Sequence, residues 1–239
     1  MNSPVNYDLK DGIAQITLDD GKVNAMSTRM MEAINEALDQ AEKDSAIVIL
    51  AGRPGIFSAG FDLKEMKANP ETLYSQVKSG AELSIRLLSF PQPVITVCTG
   101  HAYPMGAFLM MSADYRFGVD GPFNIGMNEV MIGMTVPQFA IELAASRLNK
   151  PFFNRTVMTG EMFSPVTAVE AGFLDKLVAL GDLHSTARNA AEALKMIDLE
   201  SYRATKKKIR EPLISAMQNA IATEQTLERA RQSFTLKAS

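Results

Sequence analysis

An uninterrupted apolar run, Ile47-Val48-Ile49-Leu50-Ala51, constrains the fold of this chain more than any other segment. It has the length of a strand and no polar residue, which is typical of a parallel strand covered on both faces. A helical pattern from about Ser27 to Lys43 precedes the run, and another from about Glu71 to Leu88 follows it. Alternation of strands with helices predicts an α/β fold with crossover connections.

The rest of the chain extends this pattern and then changes character. After Pro137 most of the chain to Arg231 is predicted to be helical, and its last stretch, Pro212 to Arg231, carries a mixed apolar face. We therefore expect one α/β domain followed by a C-terminal helical region. The other predicted strands are Ile13–Leu18, Pro93–Cys98 and Tyr115–Val119, with a short one near residues 174–178, and a further helix is predicted near 105–113.

Composition excludes several classes of function. The net charge of −3 argues against nucleic-acid binding, which usually needs a basic surface. One cysteine, Cys98, and two histidines, His101 and His184, are too few for an internal disulfide or a Cys/His zinc site, and we expect no bound metal. The first residues lack the features of a signal peptide, and the longest apolar stretch, Ala102–Met111, is too short to span a membrane. A cytoplasmic protein without membrane contact is expected.

Two turns rich in small residues each follow a predicted strand. One is Gly55–Leu63 and the other is Gly100–Gly106. Small residues let a ligand approach the backbone, and free N–H groups at a helix start stabilise a negative oxygen. Either turn alone is more often an ordinary connection, and that alternative stays open.

Glu129 is the only acid between Gly121 and Ile141. Apolar surroundings raise the pKa of a carboxylate, which suits it to take a proton from carbon near neutral pH. A glutamate that faces solvent at the mouth of a loop is an equally good interpretation of the local sequence.

Taken together and in order, these segments resemble the crotonase superfamily, the enoyl-CoA hydratase/isomerase group. The resemblance covers about residues 5–180. It implies a crotonase-like spiral of ββα units over residues 1–200, and a helical extension over 201–239 that takes part in subunit contacts of a homotrimer or dimer of trimers. The matching motifs are Val23–Ser27, Phe57–Glu65, Gly100–Gly106, Ala113–Phe117 and Glu161–Asp175.

The resemblance also implies catalytic groups. It places two backbone N–H donors, an oxyanion hole for a thioester oxygen, at Ala59 and Met105. Hydratases of this family use two glutamates, which would fall at Phe108 and Glu129; Phe108 cannot activate water. With Pro104 and Asn128 nearby, the pattern is similar to single-glutamate Δ3,Δ2-enoyl-CoA isomerases, in which Glu129 would shuttle a proton.

For the substrate, the resemblance implies an acyl-CoA thioester, so coenzyme A is part of the substrate and no separate cofactor is expected. A basic run, Lys206–Lys208 with Arg203 and Arg210, either binds CoA phosphates or is a solvated helix face. Residues implied in substrate binding are Val23, Ala25, Ala59, Gly60, Phe61, Asp62, Leu63, Lys64, Met105, Phe108 and Asn128.

The sequence thus favours an acyl-CoA isomerase that moves a 3-enoyl-CoA double bond to the 2-position. A hydratase or acyl-CoA hydrolase of the same family is the first alternative. The second is a protein that binds acyl-CoA without catalysis. Acyl chain length depends on pocket depth, and the sequence leaves it open together with the choice between trimer and hexamer.

Overall fold

A computed structural model describes residues 3–224 and 226–238 of the 239-residue chain. The described part is a mixed α/β fold with two sheets. The strands are β1 (Val5–Lys10), β2 (Ile13–Leu18), β3 (Ile47–Ala51), β4 (Gly55–Ser58), β5 (Val94–Cys98), β6 (Gly100–Ala102), β7 (Tyr115–Val119), β8 (Ile125–Gly126), β9 (Met162–Phe163) and β10 (Lys176–Val178). The α-helices are α1 (Thr28–Lys43), α2 (Leu63–Met66), α3 (Pro70–Ser89), α4 (Pro104–Ser112), α5 (Gln138–Arg147), α6 (Lys150–Thr159), α7 (Pro165–Ala171), α8 (Leu183–Leu194), α9 (Leu199–Thr223) and α10 (Leu227–Ala238).

From β3 to β8, successive strands alternate between the two sheets. The six-stranded sheet has the order β1-β2-β3-β5-β7-β10, and the four-stranded sheet has the order β4-β6-β8-β9. Each of β3, β5 and β7 in the larger sheet is followed directly by β4, β6 or β8 in the smaller one, and a helical segment follows each pair. The chain therefore winds as a spiral of ββα turns, as the resemblance implies.

The apolar run that predicted a doubly covered strand is β3, which is buried along its whole length. Ile47 and Ile49 belong to the core on the α8 side of the sheet, whereas Val48 and Leu50 belong to the main core. Parallel neighbours β2 and β5 flank it. Burial on both faces explains why the run carries no polar residue.

The predicted start of α1 is confirmed, because the Ser27 hydroxyl accepts a hydrogen bond from the Met30 N–H at 3.2 Å. Helix α9 runs through Pro212 and ends at Thr223. A proline interrupts a helix when packing does not hold it, and here α9 lies against α3 and α5 along much of its length.

The two small-residue turns contain more structure than the sequence pattern indicated. Strand β4 occupies the start of the first turn and β6 the start of the second. Both strands are short and belong to the smaller sheet, so neither produces an apolar run of recognisable length. Strand β1, which pairs antiparallel with β2, was likewise not predicted.

The C-terminal helices pack on the same chain, α9 on α3 and α5 and α10 on α3. The predicted division at residue 200 falls just inside α9, and the role of residues 201–239 in subunit contacts stays a prediction. No helix in the described ranges combines the length and the apolar character that crossing a membrane requires.

Candidate active site

Three neighbouring strands of the smaller sheet end at the same edge and deliver the candidate residues there. Strands β4, β6 and β8 are parallel, with Ser58 paired with Ala102 and Ala102 paired with Ile125. The Tyr103 N–H donates to the Ser58 carbonyl at 2.9 Å, which joins the segments that follow β4 and β6. Ligands of open α/β folds bind at such carboxyl ends of strands.

The backbone N–H of Phe61 is free to donate a hydrogen bond at this edge of the smaller sheet. Met26 forms an isolated parallel bridge with Phe61, in which the Met26 N–H donates to the Gly60 carbonyl at 2.8 Å and the Met26 carbonyl accepts from the Asp62 N–H at 3.4 Å. Both bonds use the residues that flank Phe61, so its own N–H points away from Met26. Within residues 3–224 and 226–238 that N–H has no acceptor.

The amide of Ala59, predicted as the first oxyanion donor, is already occupied. It donates to the Val23 carbonyl at 2.9 Å, so the prediction of Ala59 as a donor is wrong. The Gly60 N–H donates to the Ser58 hydroxyl oxygen at 3.1 Å, so the first N–H after Ala59 that has no acceptor among the described residues is that of Phe61.

The second predicted donor, Met105, lies in the first turn of α4. The Tyr103 carbonyl accepts from the Ala107 N–H, while the Met105 N–H has no acceptor in the described part of the chain, as expected for a helix N-terminus. Pro104 occupies the first helical position, where the lack of an N–H costs nothing. The role of Met105 as a donor stays a prediction.

Gly60 lets the two donor segments approach each other. Its φ is +85°, and a Cβ built there would lie 3.4 Å from the Pro104 Cδ. A side chain at residue 60 would therefore strain the backbone and press on the start of α4. Gly60 therefore allows the segment that carries the Phe61 N–H to lie close to the start of α4, which carries the Met105 N–H.

Glu129 follows β8 and is buried, with 5% of its surface exposed. Its Oε2 atom has no hydrogen-bond partner among the described residues. Burial raises the pKa of Glu129 from 4.5 to about 7, and hydrogen bonding to its own backbone N–H opposes the effect. The solvent-facing interpretation of Glu129 is therefore wrong, and the carboxyl can accept or release a proton near neutral pH.

These elements surround a cavity of about 110 Å³. Glu129 is its only carboxylate, and most of the remaining wall is apolar. Of the residues implied in substrate binding, Ala59, Gly60, Phe61, Leu63 and Asn128 line it. The full lining is Ala59, Gly60, Phe61, Leu63, Met66, Tyr103, Pro104, Asn128, Glu129, Ile132 and Met134.

Other implied residues lie outside this lining. Val23 is half exposed, and its backbone borders the site through the bond to Ala59. The Ala25 N–H donates to Asp20, and Lys64 is exposed on α2. Their binding roles stay predictions.

Asp62 and Phe108 have structural partners instead. The Asp62 carboxylate caps α2 by accepting from the N–H groups of Lys64 and Glu65. Phe108 is fully buried on α4 and makes an edge-to-face contact with Phe139 at 5.6 Å. Phe108 lies outside the lining of the cavity, and its role in substrate binding stays a prediction.

The basic run is largely used inside the protein. Lys206 and Arg210 form buried ion pairs with Asp114 at 2.9 and 2.7 Å, and Arg203 donates to the Pro91 carbonyl at 3.0 Å. Burial lowers the pKa of Lys206 to about 8. Lys207 and Lys208 are therefore exposed to solvent on α9, as the second alternative predicts. Lys206 and Arg210 are not, because they pair with Asp114 inside the protein.

Five lining residues are absent from those implied in substrate binding: Met66, Tyr103, Pro104, Ile132 and Met134. Ile132 and Met134 follow Glu129 closely, and the 3-10 turn Val130–Ile132 folds them back onto the cavity. A helical or strand period would not have shown that turn. The described residues contain no cluster of three or more His, Cys, Asp or Glu side chains able to hold a metal ion.

Comparison with known proteins identifies the family. A family model described as enoyl-CoA hydratase/isomerase matches residues 8–236. The chain belongs to the enoyl-CoA hydratase/isomerase family. It is accordingly an enzyme of this family with the crotonase fold, which confirms the resemblance drawn from the sequence.

Relatives within the enoyl-CoA hydratase/isomerase family carry different names. The mouse (Mus musculus) protein named enoyl-CoA delta isomerase 1, mitochondrial, is 30% identical over 204 residues, 83% of this chain and 71% of the relative. A crystal structure of a family protein from Pseudomonas syringae is 50% identical, covers 93% of this chain and 96% of that chain, and has a TM-score of 0.91.

A Mycobacterium tuberculosis protein, described as an enoyl-CoA isomerase, is 38% identical over 93% of this chain and 97% of that chain, with a TM-score of 0.89. Another structure of that same protein is described as a probable enoyl-CoA hydratase. The names of relatives therefore do not decide between isomerase and hydratase activity. That choice has to be argued from the residues of the site.

Proposed function

We propose that this protein is an enoyl-CoA isomerase that converts 3-enoyl-CoA thioesters into 2-enoyl-CoA thioesters. The observation that carries the proposal is the single buried carboxylate. Glu129 has an unpartnered Oε2 and is the only carboxylate in the lining of an otherwise mostly apolar cavity. One carboxyl group suffices to move a proton between two carbons of the same substrate.

In the proposed reaction, the Glu129 carboxylate removes a proton from C2 of the 3-enoyl thioester. The electron pair of the broken C–H bond forms the C1–C2 double bond of a dienolate, whose negative charge rests on the thioester oxygen. The Phe61 and Met105 N–H groups donate to that oxygen. The protonated Glu129 then returns the proton to C4, the double bond forms between C2 and C3, and the carboxylate is regenerated.

The mostly apolar wall favours this reaction because it raises the basicity of Glu129 and offers no second carboxylate in the described lining to activate a water molecule for attack on C3. Hydration in this family takes two glutamates, and the position of the second is Phe108, which packs on Phe139. The mouse and M. tuberculosis relatives named as isomerases support the proposal.

The coenzyme A portion is proposed to leave the site past Val23 and Ala25, with Lys64 available for a phosphate because its side chain is exposed. Asn128, which borders the cavity beside Glu129, is proposed to shape the acyl pocket. A homotrimer or a dimer of trimers is the proposed assembly, as the family resemblance implies.

Two parallel absorbance assays test the proposal. Purified protein is mixed with a 3-enoyl-CoA in one cuvette and with a 2-enoyl-CoA in water in the other. Isomerisation predicts rising absorbance of the conjugated thioester in the first and a constant signal in the second.

The hydratase alternative predicts falling absorbance in the second cuvette, which would contradict our interpretation of Phe108. Thioester hydrolysis would release free coenzyme A thiol in either cuvette, and a thiol reagent detects it. Binding of acyl-CoA with no change in either cuvette would favour the non-catalytic alternative.

A further inference from the structure

A glycine in the middle of α3 faces the side chains of both proposed oxyanion donors. Gly80 belongs to the buried residues of this 20-residue helix. A Cβ atom built on Gly80 would lie 2.7 Å from the Cε1 and Cζ atoms of Phe61 and 2.8 Å from the Sδ atom of Met105. Carbon atoms in contact are about 3.5–4.0 Å apart, so these two side chains already fill the space beside Gly80.

The local backbone of α3 does not explain the glycine. The φ of Gly80 is not positive, so other residues can adopt the same conformation. Glycine is the poorest helix former after proline, so Gly80 lowers the stability of α3 relative to alanine. Gly80 also lies outside the lining of the Glu129 cavity. What glycine provides here is the absence of a side chain next to Phe61 and Met105.

Helix α3 is held on both sides of Gly80. The side-chain amide of Gln76 donates to the carboxylate of Glu65 on α2. The Arg86 Nη1 atom donates to the Asn35 carbonyl on α1 at 3.0 Å. A side chain added at residue 80 therefore displaces its neighbours rather than the helix.

The Phe61 ring is the neighbour that transmits the displacement. A methionine side chain is unbranched and flexible, so Met105 can turn its sulfur away. The Phe61 ring is rigid, and Met26 holds the backbone on either side of it by two hydrogen bonds. To regain an ordinary contact, the ring has to move by about 1 Å. Because Phe61 also lines the Glu129 cavity, this movement changes the space of the thioester or shifts the Phe61 N–H.

We propose that Gly80 is a positioning residue of the active site. By carrying no side chain, it lets Phe61 and Met105 pack against α3 and keeps their N–H groups in place around the thioester oxygen. The inference rests on the proposed function, which assigns that oxygen to these two N–H groups. It extends the site to a residue of α3 that lies outside the cavity. A misplacement of about 1 Å in such a geometry costs up to about 100-fold in rate.

Enolate formation from acetoacetyl-CoA tests the proposal without turnover. Glu129 accepts a proton from C2 of this 3-ketoacyl thioester, and the electron pair of the broken C–H bond delocalises onto the thioester and ketone oxygens. The Phe61 and Met105 N–H groups donate to the thioester oxygen. The conjugated enolate absorbs ultraviolet light. Its ratio to the bound keto form, measured at saturation, reports stabilisation of the oxyanion independently of protein stability and of overall affinity.

The ratio of enolate to keto form should fall at least about tenfold in Gly80→Ala. Phe61→Leu removes the Cε1 and Cζ atoms that the new methyl group would meet. Adding Gly80→Ala to Phe61→Leu should therefore change the ratio by less than about threefold. Gly181→Ala, where a Cβ atom meets nothing within 4 Å, is the matched control and should keep the wild-type ratio.

A Gly80→Ala ratio within about threefold of wild type, or an equal loss with and without Phe61→Leu, would overturn the proposal. Where Gly80→Ala alone fails to fold, shown by circular dichroism, the double variant decides. A folded double variant with the ratio of Phe61→Leu supports the proposal, and one that loses about tenfold or also fails to fold overturns it. Wild-type protein that forms no more enolate than buffer would reject the proposed function as well, whereas undiminished enolate in Gly80→Ala rejects this inference alone.

Discussion

Replacing Glu129 with glutamine should remove isomerase activity and at the same time stabilise the fold at alkaline pH. The carboxyl is buried with an unpartnered oxygen, and burial raises its pKa from 4.5 to about 7. Such a difference corresponds to about 3 kcal/mol by which the folded protein disfavours the charged form. Glutamine carries no charge, although its buried amide still lacks a partner.

The pH dependence follows from proton linkage. The pKa is higher in the folded state than in the unfolded state, so the folded state binds more protons between pH 4.5 and about 7. Stability from this group is therefore fully present below pH 4.5 and is lost as the pH rises to about 7. Allowing for the unpaired amide, Glu129→Gln should gain about 2 kcal/mol over wild type at pH 8 and under about 1 kcal/mol at pH 5.

Thermal unfolding of both proteins at pH 8 and pH 5, followed by circular dichroism, measures the effect. At about 2–4 °C for each kcal/mol in a chain of this size, the variant should melt roughly 4–8 °C higher at pH 8. Asn128→Asp, which adds a carboxyl to the same cavity, is the opposite control and should melt lower at pH 8. A Glu129→Gln variant no more stable than wild type at pH 8 would refute the argument that Glu129 is a desolvated base.

Three further predictions follow from the site and its support. The kcat/KM for a 3-enoyl-CoA should rise with pH through about 7 and then level off, because Glu129 must be deprotonated to accept the C2 proton; a profile flat from pH 5 to 9 would exclude it as the base. Gly60→Ala should lower kcat by about 100-fold, since the φ of +85° and the contact with Pro104 would displace an oxyanion donor; steady-state kinetics at unchanged kcat would contradict this. Asp114→Asn should destabilise the protein by about 3 kcal/mol in urea unfolding, because it leaves the buried Lys206 without its counter-charge; a loss below about 0.5 kcal/mol would show that the pair is dispensable.

The sequence predicted the larger sheet well and the smaller sheet poorly, for a physical reason. Strand β3 is buried on both faces and must be apolar throughout, so its composition reveals it. Strands β4, β6 and β8 have two to four residues and include glycines. Their identity depends on pairing with each other rather than on any local period.

The same distinction applies to the site. Glu129 could be identified from the sequence as a candidate base, because the apolar residues next to it in the chain indicate an apolar environment for its carboxylate. The donor at Phe61 could not, since which amide is free depends on the bridge to Met26 and on the bond from Ala59 to Val23. Met134 joins the site only because the turn after Glu129 folds back, which no local spacing indicated.

The central claim, that one carboxyl moves one proton between two carbons, can be measured directly. A 3-enoyl-CoA carrying deuterium at C2 is converted in ordinary water, and the product is analysed by mass spectrometry and proton NMR. If Glu129 both removes and returns the proton in the shielded cavity, a substantial fraction of the deuterium appears at C4, and Glu129→Gln forms no product. Product with no deuterium at C4, or isomerisation that persists in Glu129→Gln, would contradict the account.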